Sequence, residues 1–312
     1  MQLIRGLGNL PQNLHACALT IGNFDGVHLG HQAILRHLRT KADELHLPMV
    51  VMLFEPQPRE YFCAENAPAR LMRLRDKLRY LKQAGVDMVI VAKFDRTFAN
   101  LPAQQFIEDC LVRKLNVKFL SIGDDFKFGA KRQGNFALLQ QAGEKFGFIV
   151  EDNRSFCLDE LRISSTAIRE ALANDDLTLA EKLLGRPYRI LGRVIHGNEL
   201  GRTIGFPTAN IRLHRQVNPV KGVDAVKVRL KSSAFFNGVA NIGTRPTING
   251  VNQLLEAHLF DFQGDLYGQW LDIELCHKIR NEMKFPSFDD LKAQITKDVE
   301  TAKNVFKTDR TL

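Results

Sequence analysis

The chain has 312 residues, of which 45% are hydrophobic and 25% are charged. This length and composition are typical of a globular protein with two domains and exclude a disordered chain. Basic residues outnumber acidic residues by 43 to 35, a net charge of +8 that suits an anionic ligand such as a nucleotide. Charge alone, however, favours a basic surface that merely keeps the protein soluble.

The sequence contains no candidate membrane segment. No apolar run approaches the roughly 18 residues that cross a bilayer, and the first residues lack the apolar core of a signal peptide. The five cysteines are widely spaced, and no Cys-x-x-Cys pair occurs. This pattern favours reduced thiols over a disulfide framework or a zinc ribbon, so we expect a cytoplasmic protein.

Residues 17–184 alternate short apolar runs with segments of helical periodicity. The predicted strands are Cys17–Ile21, Met49–Phe54, Met88–Ala92, Phe119–Ile122 and Phe148–Val150. Between them, apolar residues such as Ile34, Leu35 and Leu38 recur at helical spacing. This alternation predicts a Rossmann-like α/β domain, with a parallel sheet covered by helices on both faces.

The pattern changes after residue 185, where longer runs alternate apolar and polar residues. Lys227 and Arg229 separate apolar residues in one run, and Asp272 and Glu274 do so in another. Such runs predict antiparallel strands with one buried and one solvated face, which turns would close into a small β-barrel. A terminal helix should begin near Ser287. We therefore predict two domains, 1–185 and 186–312.

The first candidate site follows the first predicted α/β strand. Its sequence is Gly22-Asn23-Phe24-Asp25-Gly26-Val27-His28-Leu29-Gly30-His31. The glycines allow a sharp turn and close approach of a ligand, and the start of the next helix presents N–H groups to phosphate. His28 and His31 are three residues apart and could both donate hydrogen bonds to phosphate oxygens as charge develops. A histidine pair at a helix start is otherwise a cap or a polar surface feature.

Two further segments belong to the same predicted domain. Ser164, Ser165 and Thr166 begin another helix, where hydroxyls and N–H groups could grip phosphates, and Arg169 could add its planar fork. On its own this segment would be a simple N-cap. The loop Gly123–Gly129 contains Asp125, Phe126 and Phe128, and its two aromatic rings either sandwich a flat ligand or pack into the core.

The predicted barrel has its own glycine-rich segment. Gly197, Gly201 and Gly205 could wrap a phosphate chain, although no Gly-Lys-Ser/Thr signature of a P-loop is present. After Pro207, Thr208 and Asn210 are two residues apart and would share one side of an extended strand. Their hydroxyl and amide oxygens suit Mg²⁺, whereas the same spacing elsewhere is usually a turn.

Glu256 lies in a later strand pattern, on the same predicted face as Leu254, His258 and Phe260. If that face lines the barrel mouth, Glu256 is a plausible general base for a hydroxyl group. If the face is solvated, Glu256 is ordinary strand alternation, and periodicity does not distinguish the two cases.

The His-x-Gly-His pattern resembles the nucleotidyltransferase superfamily, and the two halves together resemble the prokaryotic bifunctional riboflavin kinase/FAD synthetase family. The most specific stretches are Gly205-Phe-Pro-Thr-Ala-Asn210 and Gly238-Val-Ala-Asn-Ile-Gly-Thr-Arg-Pro-Thr247. The resemblance implies two ATP-dependent reactions, phosphorylation of riboflavin to FMN in the barrel and adenylylation of FMN to FAD in the α/β domain. It implies small-molecule partners only, with no nucleic acid and no membrane, and leaves the oligomeric state open.

The resemblance also implies residue roles. Glu256 would accept the riboflavin hydroxyl proton, and Thr208 and Asn210 would hold Mg²⁺ with the nucleotide. His28 and His31 would stabilise the charge that develops at the α-phosphate. The leaving phosphates would be held by Ser164, Ser165 and Arg169. The flavin pocket would be formed in part by Phe126 and Phe128. Members of the family usually have Tyr in place of Asp224 and Asp in place of Asn135. The first departure removes an aromatic ring from a strand near the barrel site, and the second removes a possible carboxylate near the adenylylation site.

Two other functions fit parts of the sequence. An aminoacyl-tRNA ligase would share the His-x-Gly-His pattern but needs a KMSKS-like loop and an anticodon-binding region, and neither is visible. An RNA-binding barrel would fit the second domain, with 19 basic and 13 acidic residues, but needs interleaved aromatic residues on one face. The basic residues of a predicted helix in the segment 70–82 could also contact nucleic acid, but they are interpreted as a solvated face: Arg70, Arg73, Arg75, Lys77, Arg79 and Lys82.

Overall fold

The computed structural model describes residues 1–11, 16–123, 125–153, 157–158, 161–197, 205–215, 217–230, 235–247 and 250–308. These residues pack into two units. One contains residues 1–68 and 72–165, and the other contains residues 69–71 and 166–312. None of the helices within the described ranges is long and apolar enough to span a membrane.

The first unit contains a six-stranded parallel sheet. Its strands are β1 (Gln2–Arg5), β2 (Cys17–Ile21), β3 (Met49–Glu55), β4 (Met88–Lys93), β5 (Val117–Ile122) and β6 (Ile149–Asp152), in the spatial order β1-β4-β3-β2-β5-β6. The helices are α1 (Leu29–Glu44), α2 (Pro58–Phe62), α3 (Leu74–Gln83), α4 (Arg96–Ala99), α5 (Ala103–Gln105), which continues into a π-helix (Phe106–Lys114), and α6 (Phe136–Phe146). A short hairpin, β7 (Cys157–Leu158) and β8 (Leu161–Arg162), follows.

The sheet is buried on both faces, as the near-continuous apolar strands predict. Alternate residues of β3 point to opposite sides: Val50 and Met52 join one apolar cluster, and Val51 and Leu53 join the other. The predicted Rossmann-like α/β architecture is therefore confirmed. Strand β1 was not predicted, because only Ile4 of its four residues is buried and an edge strand this short has no recognisable alternation of apolar and polar residues.

Among its described residues, the second unit contains a closed antiparallel barrel and three helices. Its strands are β9 (Arg189–Ile195), β10 (Ala209–Arg212), β11 (Gly222–Arg229), β12 (Phe235–Thr247), β13 (Gly250–Leu259) and β14 (Trp270–Arg280), in the closed order β10-β13-β12-β11-β14-β9. The helices are α7 (Ser165–Ala173), whose first residue belongs to the other unit, α8 (Leu177–Leu184) and α9 (Phe288–Thr308). The predicted barrel and terminal helix are confirmed.

Helix α9 begins as the sequence predicts. The Ser287 hydroxyl accepts a hydrogen bond from the Asp290 N–H at 3.1 Å and donates one to the Asp290 carboxylate at 2.6 Å. The apolar stripe of the helix, including Val299 and Phe306, packs on the outer side of β11 against Val223 and Ala225. The helix therefore covers part of the barrel wall.

The solvated face predicted for β14 is partly wrong. Asp272 is buried and forms a 2.6 Å ion pair with Arg229 on the neighbouring strand β11. Glu274 forms an ion pair with Arg189 on β9. A carboxylate can be buried when an arginine on the adjacent strand satisfies it. The alternation of apolar and polar residues in β14 correctly placed Asp272 and Glu274 on the outer face of the barrel. It did not indicate that arginines of neighbouring strands pair with both carboxylates there.

Asp224 lies inside the barrel rather than on its surface. It is opposite Ala240 in the β11–β12 ladder, it is 2% exposed, and its Oδ2 has no hydrogen-bond partner among the described residues. Burial raises the pKa of Asp224 from 3.8 to about 7; Lys278, its neighbour on β14, opposes this shift, and Asp175 adds to it. Position 224 thus carries a desolvated carboxyl group inside the barrel.

Replacing Asp224 by asparagine is expected to stabilise the barrel at high pH only. Because folding raises the pKa of this carboxyl, ionisation opposes folding; the cost is absent below about pH 4 and complete above about pH 7. The shift corresponds to at most about 4 kcal/mol. Urea unfolding at several pH values should show a gain for Asp224→Asn that grows between pH 4 and pH 7, while exposed Asp261→Asn shows none. An equal gain at pH 4 and pH 8 would contradict this assignment.

Candidate functional site

The first pocket lies at the carboxyl end of the parallel sheet, where β2 runs into α1. Its cavity has a volume of about 280 Å³. The predicted residues that line it are Gly22, Phe24, His28, Gly30, His31, Asp125, Ser164 and Ser165. Open parallel sheets bind ligands at this edge, because the strands end there and the helices begin. The sequence-based choice of residues thus converges on one cavity.

The two histidines are stacked at the start of α1. Their ring centroids are 3.6 Å apart and the planes differ by 20°. His28 is the N-cap of the helix, and its Nδ1 accepts a hydrogen bond from the His31 N–H at 3.3 Å. Both interpretations of the pair therefore hold: His28 caps the helix and lines the cavity. Because Nδ1 is the acceptor in the cap, the proton of a neutral His28 ring resides on Nε2.

The backbone of the glycine-rich turn is built for close approach. Phe24 has φ 46° and Val27 has φ 39°, both in the left-handed region, and Gly26 has φ 88°. A Cβ on Gly30 would lie 3.2 Å from His28 Nδ1 and 3.4 Å from the Ile163 carbonyl oxygen. Gly30 therefore allows the His28 ring to lie against the segment that leads to Ser164 and Ser165.

Other predicted residues of this turn support the pocket from behind. Asp25 is buried, and its Oδ1 accepts a hydrogen bond from the Met72 N–H at 3.3 Å. Its carbonyl oxygen accepts the Ser165 hydroxyl at 2.8 Å, and the carbonyl oxygen of Asn23 accepts Lys77 Nζ at 2.5 Å. Lys77 is only 3% exposed, so the expectation of a fully solvated basic face on α3 is wrong at this residue. These contacts hold the turn rather than line the cavity.

Thr166 and Arg169 belong to the second unit. Thr166 is exposed. Arg169 Nε donates a 2.6 Å hydrogen bond to the carbonyl oxygen of Ala69, which belongs to the segment 69–71 of the same unit.

The sheet cavity also has described lining residues that were not among the predicted site residues: Thr20, Ile21, Ile34, Gly123, Asn153, Arg162 and Ile163. Gly123 and Asn153 directly follow β5 and β6, and that position was the signal available in the sequence.

Phe126 and Phe128 form a stacked pair with ring centroids 5.6 Å apart. Phe128 is 7% exposed and packs at 5.3 Å against Phe106, so it belongs to the core. Phe126 is half-buried against the same cluster. Of the two alternatives for this loop, packing into the core describes Phe128, and in this structure the rings stack on each other rather than enclosing a gap.

The second pocket lies on the barrel, at the start of β10. Its cavity of about 440 Å³ is lined by the predicted Pro207, Thr208 and Asn210, together with Val194, Ala209, Ala257, Leu259, Phe262, Gly264, Asp265, Leu266 and Tyr267. Tyr267 stacks on His196 with ring centroids 3.9 Å apart. Gly205 has φ 87° at the turn before β10. Gly201 lies outside the described residues.

Asn210 and Glu256 are direct neighbours across the β10–β13 ladder, and Glu256 is also paired with Asn241 on β12. Residues directly opposite in antiparallel strands share a face, with Cβ atoms about 4.5–5.5 Å apart. Leu255 and Ala257 are fully buried in the barrel interior, so Glu256 and Asn210 lie on the outer face. Glu256 is half-buried there, and the face is neither the barrel lumen nor open solvent.

Asn210 is held tightly although it lies on the outer face. It is 6% exposed, and its Nδ2 donates to the Thr208 carbonyl oxygen at 3.3 Å. A Cβ on Gly197 would lie 2.8 Å from Asn210 Oδ1, so the glycine makes room for the amide. Gly197 thus shapes the site by being small, which differs from the phosphate-wrapping role that its sequence context suggested.

The protein has one pocket on a parallel sheet and another on a barrel, and the families that match its two halves define the class as a transferase. A FAD synthetase family model matches residues 10–167, and a riboflavin kinase model matches residues 184–306. The bifunctional riboflavin kinase/FMN adenylyltransferase of Haemophilus influenzae is 77% identical over 99% of this chain and 100% of its own length. The Escherichia coli protein of the same name is 58% identical over 98% of each chain.

The chain belongs to the bifunctional riboflavin kinase/FMN adenylyltransferase family. The predicted family and enzyme class are confirmed, as is the prediction of a flavin- and ATP-dependent transferase. A crystal structure described as a macrolide-efflux protein from Streptococcus pneumoniae also aligns, with a TM-score of 0.78 and 30% identity over 97% of this chain and 99% of that one. This likeness extends over both halves of the chain.

Proposed function

We propose that each activity has its own pocket: FMN adenylylation in the sheet pocket of domain 1–185 and riboflavin phosphorylation in the barrel pocket of domain 186–312. One observation carries this assignment. His28, His31, Ser164 and Ser165 line one cavity, Thr208 and Asn210 line another, and each cavity is formed within a single unit. Glu256 is not a lining residue of the barrel cavity but lies directly opposite Asn210 across the strand ladder. Each pocket would therefore bind its own ATP and act on a different phosphate of it.

In the barrel, the terminal ribityl hydroxyl of riboflavin attacks the γ-phosphorus of ATP. A bond forms from the hydroxyl oxygen to phosphorus, the bond to the β-phosphate oxygen breaks, and ADP leaves. Glu256 accepts the hydroxyl proton, because its carboxylate shares the outer face of the barrel with Asn210. No covalent enzyme intermediate is needed, since phosphoryl transfer depends on positioning and charge stabilisation.

The donor set of this pocket fits a Mg²⁺ ion shared with the nucleotide. Asn210 Nδ2 is engaged with the Thr208 carbonyl, which leaves Oδ1 as the free amide acceptor. With the Thr208 hydroxyl it offers neutral hard oxygen ligands, which suit Mg²⁺ bound mainly through phosphates. No group of three or more His, Cys, Asp or Glu side chains in the described ranges could hold a metal alone. Bound Mg²⁺ would neutralise phosphate charge during transfer.

In the sheet pocket, an FMN phosphate oxygen attacks the α-phosphorus of ATP, and pyrophosphate leaves. His28 and His31 donate hydrogen bonds to the oxygens that gain charge in the transition state, and the buried position of His28 strengthens its contribution. Ser164 and Ser165, on the same cavity wall, hold the leaving phosphates at the start of α7. The roles of Thr166 and Arg169 stay predictions of the motif alone.

The flavin end of this pocket would include Asp125, Phe126 and Phe128. Asp125 lines the cavity, and the half-buried Phe126 ring offers the more accessible aromatic surface, while Phe128 supports it from the core.

We place the enzyme in the cytoplasm. Its four described cysteines are free, consistent with a reducing compartment.

The intact protein tests this function directly. Incubated with riboflavin, ATP and Mg²⁺, it should produce FMN, ADP, FAD and pyrophosphate, identified by chromatography and mass. Supplying FMN in place of riboflavin should give FAD and pyrophosphate without ADP. ATP consumption without a flavin product in either reaction would refute the assignment.

A further inference from the structure

His258 lies at the point where backbone pairing between β10 and β13 stops. The last pair in that direction is Ala209 with Ala257, so Thr208 and Pro207 continue beyond the ladder. Pro207 has no N–H and cannot donate to a ladder. Something other than strand pairing must therefore fix the segment that presents Thr208.

The His258 side chain supplies that contact. Its Nδ1 donates a hydrogen bond to the Pro207 carbonyl oxygen at 2.9 Å. This carbonyl belongs to the peptide unit between Pro207 and Thr208, and that unit is planar. Holding the oxygen therefore sets the orientation of the Thr208 N–H and the start of β10.

The imidazole ring is itself held in place by aromatic neighbours. The Phe206 ring meets it edge to face, with centroids 5.5 Å apart and planes at 83°, and the Phe260 ring does so at 5.9 Å and 64°. Phe260 is buried, and Lys303 of α9 lies 5.4 Å from its ring centroid. The ring is therefore oriented by packing before it makes its hydrogen bond.

We infer that His258 is a positioning residue for phosphoryl transfer, which holds Thr208 and Asn210 at a fixed place relative to Glu256. His258 and Glu256 are two residues apart on β13 and share its outer face, and Asn210 is the cross-strand neighbour of Glu256. Strand β13 thus carries both the Glu256 carboxylate and the His258 ring that holds the Pro207–Thr208 segment. The inference rests on the proposed function of the barrel pocket.

Two substitutions separate the hydrogen bond from the packing. His258→Phe keeps an aromatic ring between Phe206 and Phe260 but has no donor, whereas His258→Asn loses the ring and retains an N–H donor near the place of Nδ1. His277→Phe is the matched control, because His277 is an exposed histidine on the same barrel. FMN adenylylation in the same protein reports whether each variant is folded and active elsewhere.

For His258→Phe we expect a loss of at least tenfold in kcat/KM for ATP in riboflavin phosphorylation, mainly as a higher KM for ATP. The KM for riboflavin and the rate of FMN adenylylation should stay within twofold. His258→Asn should recover most of the loss, and His277→Phe should match the unmodified enzyme. A purely structural role would lower Tm and both activities together.

The inference is overturned if His258→Phe phosphorylates riboflavin within twofold of the unmodified enzyme, or if His258→Asn is as defective as His258→Phe. The inference is also overturned if His258→Phe lowers Tm and reduces both activities by the same factor. Failure of the proposed barrel function is a different result, in which the unmodified enzyme forms FAD from FMN but no FMN from riboflavin.

Discussion

Replacing His28 by asparagine is expected to reduce FMN adenylylation by roughly 10²–10³-fold, the loss typical of removing one transition-state hydrogen-bond donor. The side-chain oxygen of asparagine can accept the His31 N–H, so the variant keeps the N-cap that His28 provides through Nδ1. The substitution therefore removes the Nε2 side of the imidazole ring, which is the side that would donate to the phosphate. His31→Ala should cause a loss of similar size, since His31 is stacked on His28 in the same cavity.

Riboflavin phosphorylation serves as the internal control for these variants and should remain within twofold. His37→Asn provides a matched substitution on the same helix, because His37 is a surface residue that pairs with Glu151 at 2.8 Å. It should leave adenylylation unchanged. If His28→Asn and His37→Asn formed FAD at the same rate, the two stacked rings would have no part in adenylyl transfer.

Glu256→Gln is expected to reduce riboflavin phosphorylation by roughly 10²–10⁴-fold, the usual contribution of a positioned general base. Glutamine preserves the size and polarity of the side chain next to Asn210 and Asn241 but cannot accept the hydroxyl proton. FMN supplied directly should still be converted to FAD at the normal rate. The measurement is the separate rate of each step, with products resolved by chromatography.

Exposed Glu300→Gln on α9 is the control for this variant, since it removes a carboxylate from the same unit away from the strand ladder. It should leave both activities unchanged. A folded Glu256→Gln protein that phosphorylates riboflavin normally would exclude the carboxylate as the base. Loss of adenylylation as well, with FMN supplied, would contradict the separation of the two sites.

The sequence predicted the architecture because its signals were local. Strand runs such as Cys17–Ile21 agree with the structure to the residue, and the helix-capping pattern at Ser287 is present as expected. The histidine motif also converged on a cavity, since glycine spacing and a strand-to-helix turn place residues that are close in sequence. Local chemistry of this kind can be derived without a structure.

Features that depend on pairing between distant segments could not be derived in this way. The face of Glu256 was ambiguous until the register placed it opposite Asn210, and the buried environment of Asp224 follows from its position opposite Ala240. Asp272 was expected in solvent because its partner Arg229 is 43 residues away along the chain. Periodicity identifies alternating faces, but register and barrel closure decide what each face meets.

The independence of the two pockets is tested most directly by mixing two variants, each of which lacks one of the two activities. His28→Asn should convert riboflavin to FMN and stop there, and Glu256→Gln should not use riboflavin at all. Combined with riboflavin, ATP and Mg²⁺, the two proteins should together produce FAD, because FMN released by the first is a substrate for the second. A mixture that accumulates FMN without FAD, while Glu256→Gln alone fails to adenylylate added FMN, would show that the two sites do not act separately.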